Sequence, residues 1–385
     1  MKVISSEKLP IKMWLNDIEE GALDQAKNLA NLPFAYHHIA IMPDSHQGFG
    51  MPIGGVLATE GVIIPNAVGV DIGCGMLAVK TDLTDISTDQ LKVLMSHIRT
   101  RIPVGFNHQK EKQPEVCMPD LDLIVASREY ESALYQLGTL GGGNHFIEIQ
   151  KGSDGFIWFM IHSGSRNIGL KVAKYYNELA IEINRKYYSS VPKSWELAFL
   201  PDNSLEGTFY RREMEYCVDF AYENRKMMAV QIKNAMFDTG LAPFIEGTEP
   251  ELINIAHNYA SLEHHFGKDV WVHRKGATLA REGTIGIIPG SQGTKSYIVR
   301  GLGNEDSFYS CSHGAGRKMS RTKARETLSL SDEQEKMQGV VHGIRSITDL
   351  DEAPGAYKDI QEVMANQTNL VEIVTELTPL AVIKG

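Results

Sequence analysis

Residues 33–80 and 137–170 of this chain are built from short apolar runs cut by glycine. The first stretch reads HHIAIMPDSHQGFG, GGVLATEGVIIP and VGVDIGCGMLAVKT; the second reads GTLGGGNHFIEIQ and then FIWFMIH at 156–162. Runs so short and so bounded predict buried strands joined by tight turns, one of them ending at His162. Residues 171–188 and 211–236 are different, rich in Ala, Met, Glu, Lys and Arg with apolar residues three and four apart, and predict helices. After residue 270, VWVHRKGA, GTIGIIPG and SYIVRG predict further strands, and a helix is expected after SCSHGAGR. Strands and helices do not alternate strictly, which disfavours a doubly wound parallel sheet. The expectation is an α+β fold, one domain over 1–385 with a helical insertion at about 170–265.

Composition narrows the function. The net charge of −10, from 38 Lys and Arg against 48 Asp and Glu, argues against a chain that coats nucleic acid through a broad basic surface. Any basic groove must be focal, and Arg166, Lys275, Arg317 and Arg321 are its candidates. No stretch reaches eighteen apolar residues and the N-terminus lacks a signal-peptide core, so no membrane association and a cytoplasmic location are expected. Cys74, Cys117, Cys217 and Cys311 are far apart and form no CxxC pair. Neither a disulfide framework nor a zinc knuckle is suggested, and a conspicuous cysteine reads as ligand, nucleophile or core residue.

Several short clusters carry chemistry. Asp71-Ile72-Gly73-Cys74, expected at a strand end, brings a hard carboxylate and a soft thiolate near one point. Mixed O, N and S donors suit Zn, Mn or Co, although Asp-x-x-Cys alone is weak. His145, His162 and His257 sit at loop mouths; singly, each is a packed or surface imidazole more often than a ligand. Together with Asp71 and Cys74 they could serve two metals if the Cys74 sulfur bridges, an arrangement suited to phosphoryl transfer. His37, His38, His264 and His265 are decoys, since adjacency does not aim two imidazoles at one ion.

His162-Ser163-Gly164-Ser165-Arg166 combines hydroxyls, a glycine and a guanidinium where a helix is expected to begin, a setting that favours oxyanions; an N-cap beside a solvated Arg is the equal alternative. In Ser310-Cys311-Ser312-His313-Gly314-Ala315-Gly316-Arg317, small neighbours leave His313 open to attack a phosphorus. Arg317 and Arg321, four apart, would share a helix face. A glycine turn with a structural histidine is the competing reading. GSQGTKS at 290–296 lacks Walker A spacing, and no K-x-D-G signature accompanies Lys275. A covalent nucleotide step would therefore need another nucleophile, for which His313 is the best candidate.

In order along the chain, these segments resemble the RtcB family of RNA ligases. The likeness is carried by HHIAIMPDSHQGFGMPIGG, IIPNAVGVDIGCGM, LGTLGGGNHFIEI, HSGSRNIG, HNYA, RKGA, IPGSQGTKSYIVRG, SCSHGAGRKMSRTKA, EAPGAYKDIQEVM and VIKG, from about residue 12 to the last residue. The resemblance implies mixed and antiparallel sheets around a central metal cleft. It implies two Mn²⁺ ions, one on Cys74, His162 and His257 and the other on Asp71, Cys74 and His145, with Cys74 shared. His313 falls where the family's histidine accepts GMP from GTP, with Gly314, Ala315 and Gly316 beside it. Asn144 and Arg166 fall on phosphate-handling positions. Phe146, Glu148, Ser296, Tyr357 and Lys384 fall where the family holds guanine and the rest of the nucleotide.

The activity implied joins an RNA 3′-phosphate or 2′,3′-cyclic phosphate to a 5′-hydroxyl; a metal-dependent cyclic phosphodiesterase or phosphatase is the alternative. A monomer is expected, with a repair or release-type factor as a further partner. The chain is compact for the family and carries Gln292 where Met is usual, features that suggest a bacterial paralogue used in RNA repair.

Overall fold

The computed structural model describes residues 1–115, 122–245 and 250–385, which leaves Cys117 outside the described residues. The glycine-cut segments form two large sheets. One is mixed and six-stranded, in the order Lys2–Ile4, Ile11–Met13, Ala35–His46, Ile53–Thr59, Lys268–Lys275 and Asn258–His265. The other is antiparallel and seven-stranded, in the order Leu252–Ala256, Gly75–Lys80, Ile157–Ser163, Phe146–Gly152, Val371–Lys384, Ser296–Gly301 and Ile285–Ile288. The apolar run at 156–162 is the buried strand its composition predicts, since every residue of Ile157–Ser163 is buried. Val371–Lys384 is a long strand near the middle of that sheet, with Lys384 in register with Phe146.

The helices expected at 171–188 and 211–236 are Arg166–Lys186 and Leu205–Asp238. The second buries Met214, Cys217, Phe220, Ala221, Met228, Ile232, Ala235 and Met236 at three- and four-residue spacing, which seats it along the core. Three of its buried residues are polar, and they bracket neighbouring segments. Glu213 accepts the backbone N–H groups of Ile124, Val125 and Ala126 and the Tyr176 hydroxyl. Asn224 accepts from Gly138 and Thr139 N–H and donates to Ser163 Oγ and the Gly164 carbonyl. Arg225 donates to the Gly73 and Ser163 carbonyls and to Asn254. Buried polar groups are costly unless paired, so these bonds pin four segments, at 124–126, 138–139, 163–164 and Gly73, to one helix.

Helix does not extend to residue 265. Leu252–Ala256 and Asn258–His265 are strands that belong to different sheets, with His257 at the crossing. The alternation is disguised because Glu263 and His265 point inward while Leu262 stays exposed. Arg274, wholly buried, neutralises Glu263 at 2.5 Å. No helix among the described residues is long and apolar enough to cross a membrane.

Candidate functional site

A cavity of about 850 Å³ opens where the two sheets meet, and its lining includes Asp71, Cys74, Asn144, His162, His257 and His313. Asp71-Ile72-Gly73-Cys74 forms a tight turn that precedes the strand Gly75–Lys80 instead of ending one; Cys74 N–H donates to the Asp71 carbonyl. Gly73 has φ +73°, and a Cβ there would lie 2.8 Å from the backbone of Val218 on the long helix. Only glycine lets the turn sit so close.

The donor atoms of Cys74, His162 and His257 lie within 4.8 Å of one another, and so do those of Asp71, Cys74 and His145. Cys74 Sγ stands 3.3 Å from His162 Nε2 and 3.6 Å from His145 Nε2, while His162 and His257 face each other through Nε2 at 3.4 Å. Backbone carbonyls fix two tautomers: His145 Nδ1 meets the Leu140 carbonyl at 2.9 Å and His162 Nδ1 meets that of Asn144 at 3.1 Å. Each Nδ1 then carries the proton and each Nε2 offers a lone pair inward. Burial and the neighbouring histidines hold His162 and His257 well below the ordinary range, hence neutral, as ligands must be. Burial and the Asp71 charge push the Cys74 thiol well above its range. Converging lone pairs, a carboxylate and a thiol make sense around cations, whose charge reverses that thiol shift. This set could hold two metal ions sharing the Cys74 sulfur.

His313 stands beside the cluster, its ring 4.8 Å from that of His257. Asp44, wholly buried, meets His313 Nδ1 at 2.7 Å and accepts the backbone N–H groups of His313 and Gly314 through the same oxygen. Burial raises the Asp44 carboxyl, but the charge and hydrogen bond of His313 outweigh it and leave it below the ordinary range. An ionised Asp44 keeps the proton on Nδ1 and leaves Nε2 free as a nucleophile. Gly316, at φ +72°, packs directly on the Asp44 carbonyl.

Another part of the lining is suited to a nucleotide. Glu148 is 2% exposed, and burial pushes its carboxyl up to about 8 against the opposing charge of Lys384. Gln150 Nε2 donates to it at 2.7 Å. Lys384 Nζ reaches the Asn144 carbonyl at 3.2 Å and lies over the Phe146 ring at 5.5 Å. The buried Glu352 gathers this wall: Arg321 pairs with it at 2.7 Å, Arg317 at 3.1 Å and Lys384 at 3.8 Å, and the Tyr357 hydroxyl donates to it. Gln292 Nε2 donates to the Glu352 carbonyl at 2.6 Å.

Asp71, Cys74, Asn144, Phe146, Glu148, His162, His257, His313, Gly314, Ala315, Gly316, Tyr357 and Lys384 all line this one cavity. His145 completes the cluster from beneath. Ser296 is wholly buried one layer behind, its Oγ accepting from Gly290 N–H and Gln150. Arg166 takes a left-handed φ of +61° at the helix start, and its guanidinium bonds Thr139 Oγ1 and the Gly105 carbonyl behind the cluster. Lys275 is a buried strut, donating to the Phe49 and Asn66 carbonyls. Arg317 precedes the helix Arg321–Thr327 and does not share its face. All four basic candidates are tied to protein acceptors, and three of them, Lys275, Arg317 and Arg321, line the cavity.

His37 and His38 stack on Phe266 and Phe308, and His265 pairs with Glu263, so these three are packing groups. His264 is exposed beside Asp269. The residues that sequence reasoning missed are Asp44, Asn224, Arg225 and Glu352; the only local signals were the flanking DSH and EAPGAY segments.

A family model described as tRNA-splicing ligase RtcB matches residues 25–122 and 115–385. The RNA-splicing ligase RtcB of Escherichia coli K12 is 40% identical, over 100% of this chain and 99% of its own length. The tRNA-splicing ligase RtcB of Nanoarchaeum equitans is 32% identical, over 100% of this chain and 95% of its own. That of Thermococcus kodakarensis is also 32% identical, over 95% and 92%.

Proposed function

The chain belongs to the RtcB family, and we propose from this membership and the cavity that it is a GTP- and Mn²⁺-dependent RNA ligase. It joins an RNA 3′-phosphate, or a 2′,3′-cyclic phosphate once opened, to a 5′-hydroxyl. The observation that carries the reading is His313: a histidine held by a buried carboxylate, beside a five-donor cluster, in one cavity with a buried glutamate. Two Mn²⁺ ions, on Cys74, His162 and His257 and on Asp71, Cys74 and His145, would supply positive charge for the reacting phosphates.

His313 Nε2 attacks the α-phosphorus of GTP and the bond to pyrophosphate breaks. Asp44 stays hydrogen-bonded to Nδ1–H and offsets the positive charge that the ring acquires. GMP then passes to an oxygen of the RNA 3′-phosphate, which restores neutral His313. The 5′-hydroxyl attacks that 3′-phosphorus and GMP leaves. Ionised Glu148 accepts from guanine N1–H and the exocyclic amine, a donor pair that adenine does not present. Tyr357 and Phe146 offer rings and Lys384 an ammonium to the nucleotide, and Asn144 would meet its phosphates. A role in RNA repair or tRNA splicing follows from the ends joined.

The test is incubation with α-labelled GTP and Mn²⁺ followed by denaturing electrophoresis. Wild type retains label, whereas His313→Ala and Cys74→Ala do not. A wild type that takes no label while clearing cyclic phosphate ends without GTP would make it a phosphodiesterase and sink the ligase reading.

A further inference from the structure

Among the described residues, the cavity lining holds three rings besides the histidines: Phe146, Tyr357 and Phe49. The first two belong to the nucleotide wall. Phe49 lines the same cavity from the loop before Ile53, where Lys275 Nζ ties its carbonyl to that of Asn66. Its side chain is 69% exposed, and nearby Val70 is 52% exposed. A lone exposed phenylalanine on a loose loop would mean little. This one sits on a backbone clamped at every step. Glu19 accepts the Gln47 N–H, and Gln25 both donates to and accepts from Gly48, at 2.6 and 3.0 Å. Gly50 N–H reaches Glu196 at 3.2 Å. The Phe49 carbonyl accepts from Met51 N–H at 2.7 Å and from Lys275 Nζ at 2.6 Å. Gly50 has φ +67°, and a Cβ there would meet the Glu196 carbonyl at 2.6 Å. These bonds hold the loop backbone, and what it presents to the cavity is an exposed phenylalanine ring.

That loop connects to the reacting histidine. Gly276 is wedged between Ile53 and His313, where a Cβ would lie 2.4 Å from one and 3.0 Å from the other. In the ligation step the 5′-oxygen attacks in line, opposite the departing GMP. The strand carrying the 5′-hydroxyl therefore approaches away from the nucleotide wall. A nucleobase is the flat, apolar part of that strand, and base-on-aromatic stacking tolerates any sequence.

From this placement we infer that Phe49 is the stacking surface for the first nucleobase of the 5′-hydroxyl strand, a positioning role that rests on the ligase reading above. The loop orients the incoming end before its hydroxyl attacks, without touching the reacting atoms. Phe49→Ala is exposed enough to fold normally, and Phe49→Trp restores the ring. The experiment measures steady-state sealing with a 5′-hydroxyl RNA oligonucleotide whose first residue is either intact or abasic, together with label uptake from α-labelled GTP. Phe49→Ala is expected to take label at the wild-type rate, to raise KM for the intact strand about tenfold, and to change kcat little. Phe49→Trp keeps the wild-type KM, and with the abasic strand all three proteins have the same raised KM. Normal labelling with an unchanged KM in Phe49→Ala overturns the stacking role alone, as does a KM rise that persists with the abasic strand. A wild type that takes no label removes the ligase reading and this role with it.

Discussion

Around the ligand cluster, side chains and loops are fixed by hydrogen bonds to buried backbone, one set of them donated by the Arg225 guanidinium. Leu140 and Asn144 carbonyls orient His145 and His162, and Asn224 and Arg225 of the long helix hold the loops at Gly73, Gly138–Thr139 and Ser163–Gly164. Around the nucleotide wall, charges are gathered instead on one carboxylate, Glu352, which pairs with Arg317, Arg321 and Lys384. Bonds to the main chain are short-ranged and persist whatever ligand arrives. Ion pairs compete with any incoming phosphate for the same cations. The cradle is therefore preset, while the nucleotide wall is able to exchange internal pairs for bonds to its ligand.

The comparison breaks first if the cradle does not depend on its helix. Arg225→Met strands the Gly73 and Ser163 carbonyls and is expected to lower Mn²⁺ affinity by roughly a hundredfold, as for lost outer-shell partners. It also removes about 3 kcal/mol of stability. Metal titration and calorimetry read both, and guanosine binding to the metal-free protein should stay within about twofold. Wild-type metal affinity in this variant would mean that the ligands hold themselves in place.

Glu352→Gln sharpens the other side. Without its charge, Arg317, Arg321 and Lys384 lose their common anchor, and a single amide oxygen is left to accept from them and from Tyr357. GTP affinity is expected to fall about thirtyfold, or about 2 kcal/mol, with Mn²⁺ binding unchanged. Tighter GTP binding would instead mean that Glu352 acts mainly as a rival of the phosphates.

A smaller effect separates the two regions by pH. Burial raises the Glu148 carboxyl to about 8, whereas the proposed guanine contact needs the carboxylate. On that reading binding releases a proton and strengthens as pH rises, by roughly fivefold between pH 7 and pH 8, before guanine N1–H itself begins to ionise. Guanosine titrations on metal-free protein measure it, and Glu148→Gln should flatten the profile. An affinity that falls over this range would show that Glu148 binds as the neutral acid.

The legibility of the sequence follows the same division. Asp71, Cys74, His145 and His162 lie in short glycine-bounded segments where the chain's local pattern already marks turns and strand ends. Their convergence with His257 depends on a crossing between sheets that the pattern at 252–265 conceals, because a buried Glu263–Arg274 pair inverts the usual polarity. Asn224 and Arg225 lie inside NRKMM on a helix, where polar residues ordinarily face water; only packing shows that they turn inward. Glu352 and Asp44 are single carboxylates whose importance comes from what folds around them. The four arginine and lysine candidates illustrate the converse. Their charge was visible, and the acceptors that occupy them were not.

The strand Val371–Lys384 follows in sequence every strand it joins, yet it lies between Phe146–Gly152 and Ser296–Gly301. Until it inserts, those two strands have no shared neighbour, Lys384 is missing from the cavity, and the Gly385 N–H does not reach the His145 carbonyl. Pairings between such distant segments form late because they close long loops. The cavity that Lys384 lines is therefore completed only when this strand pairs with segments made long before it.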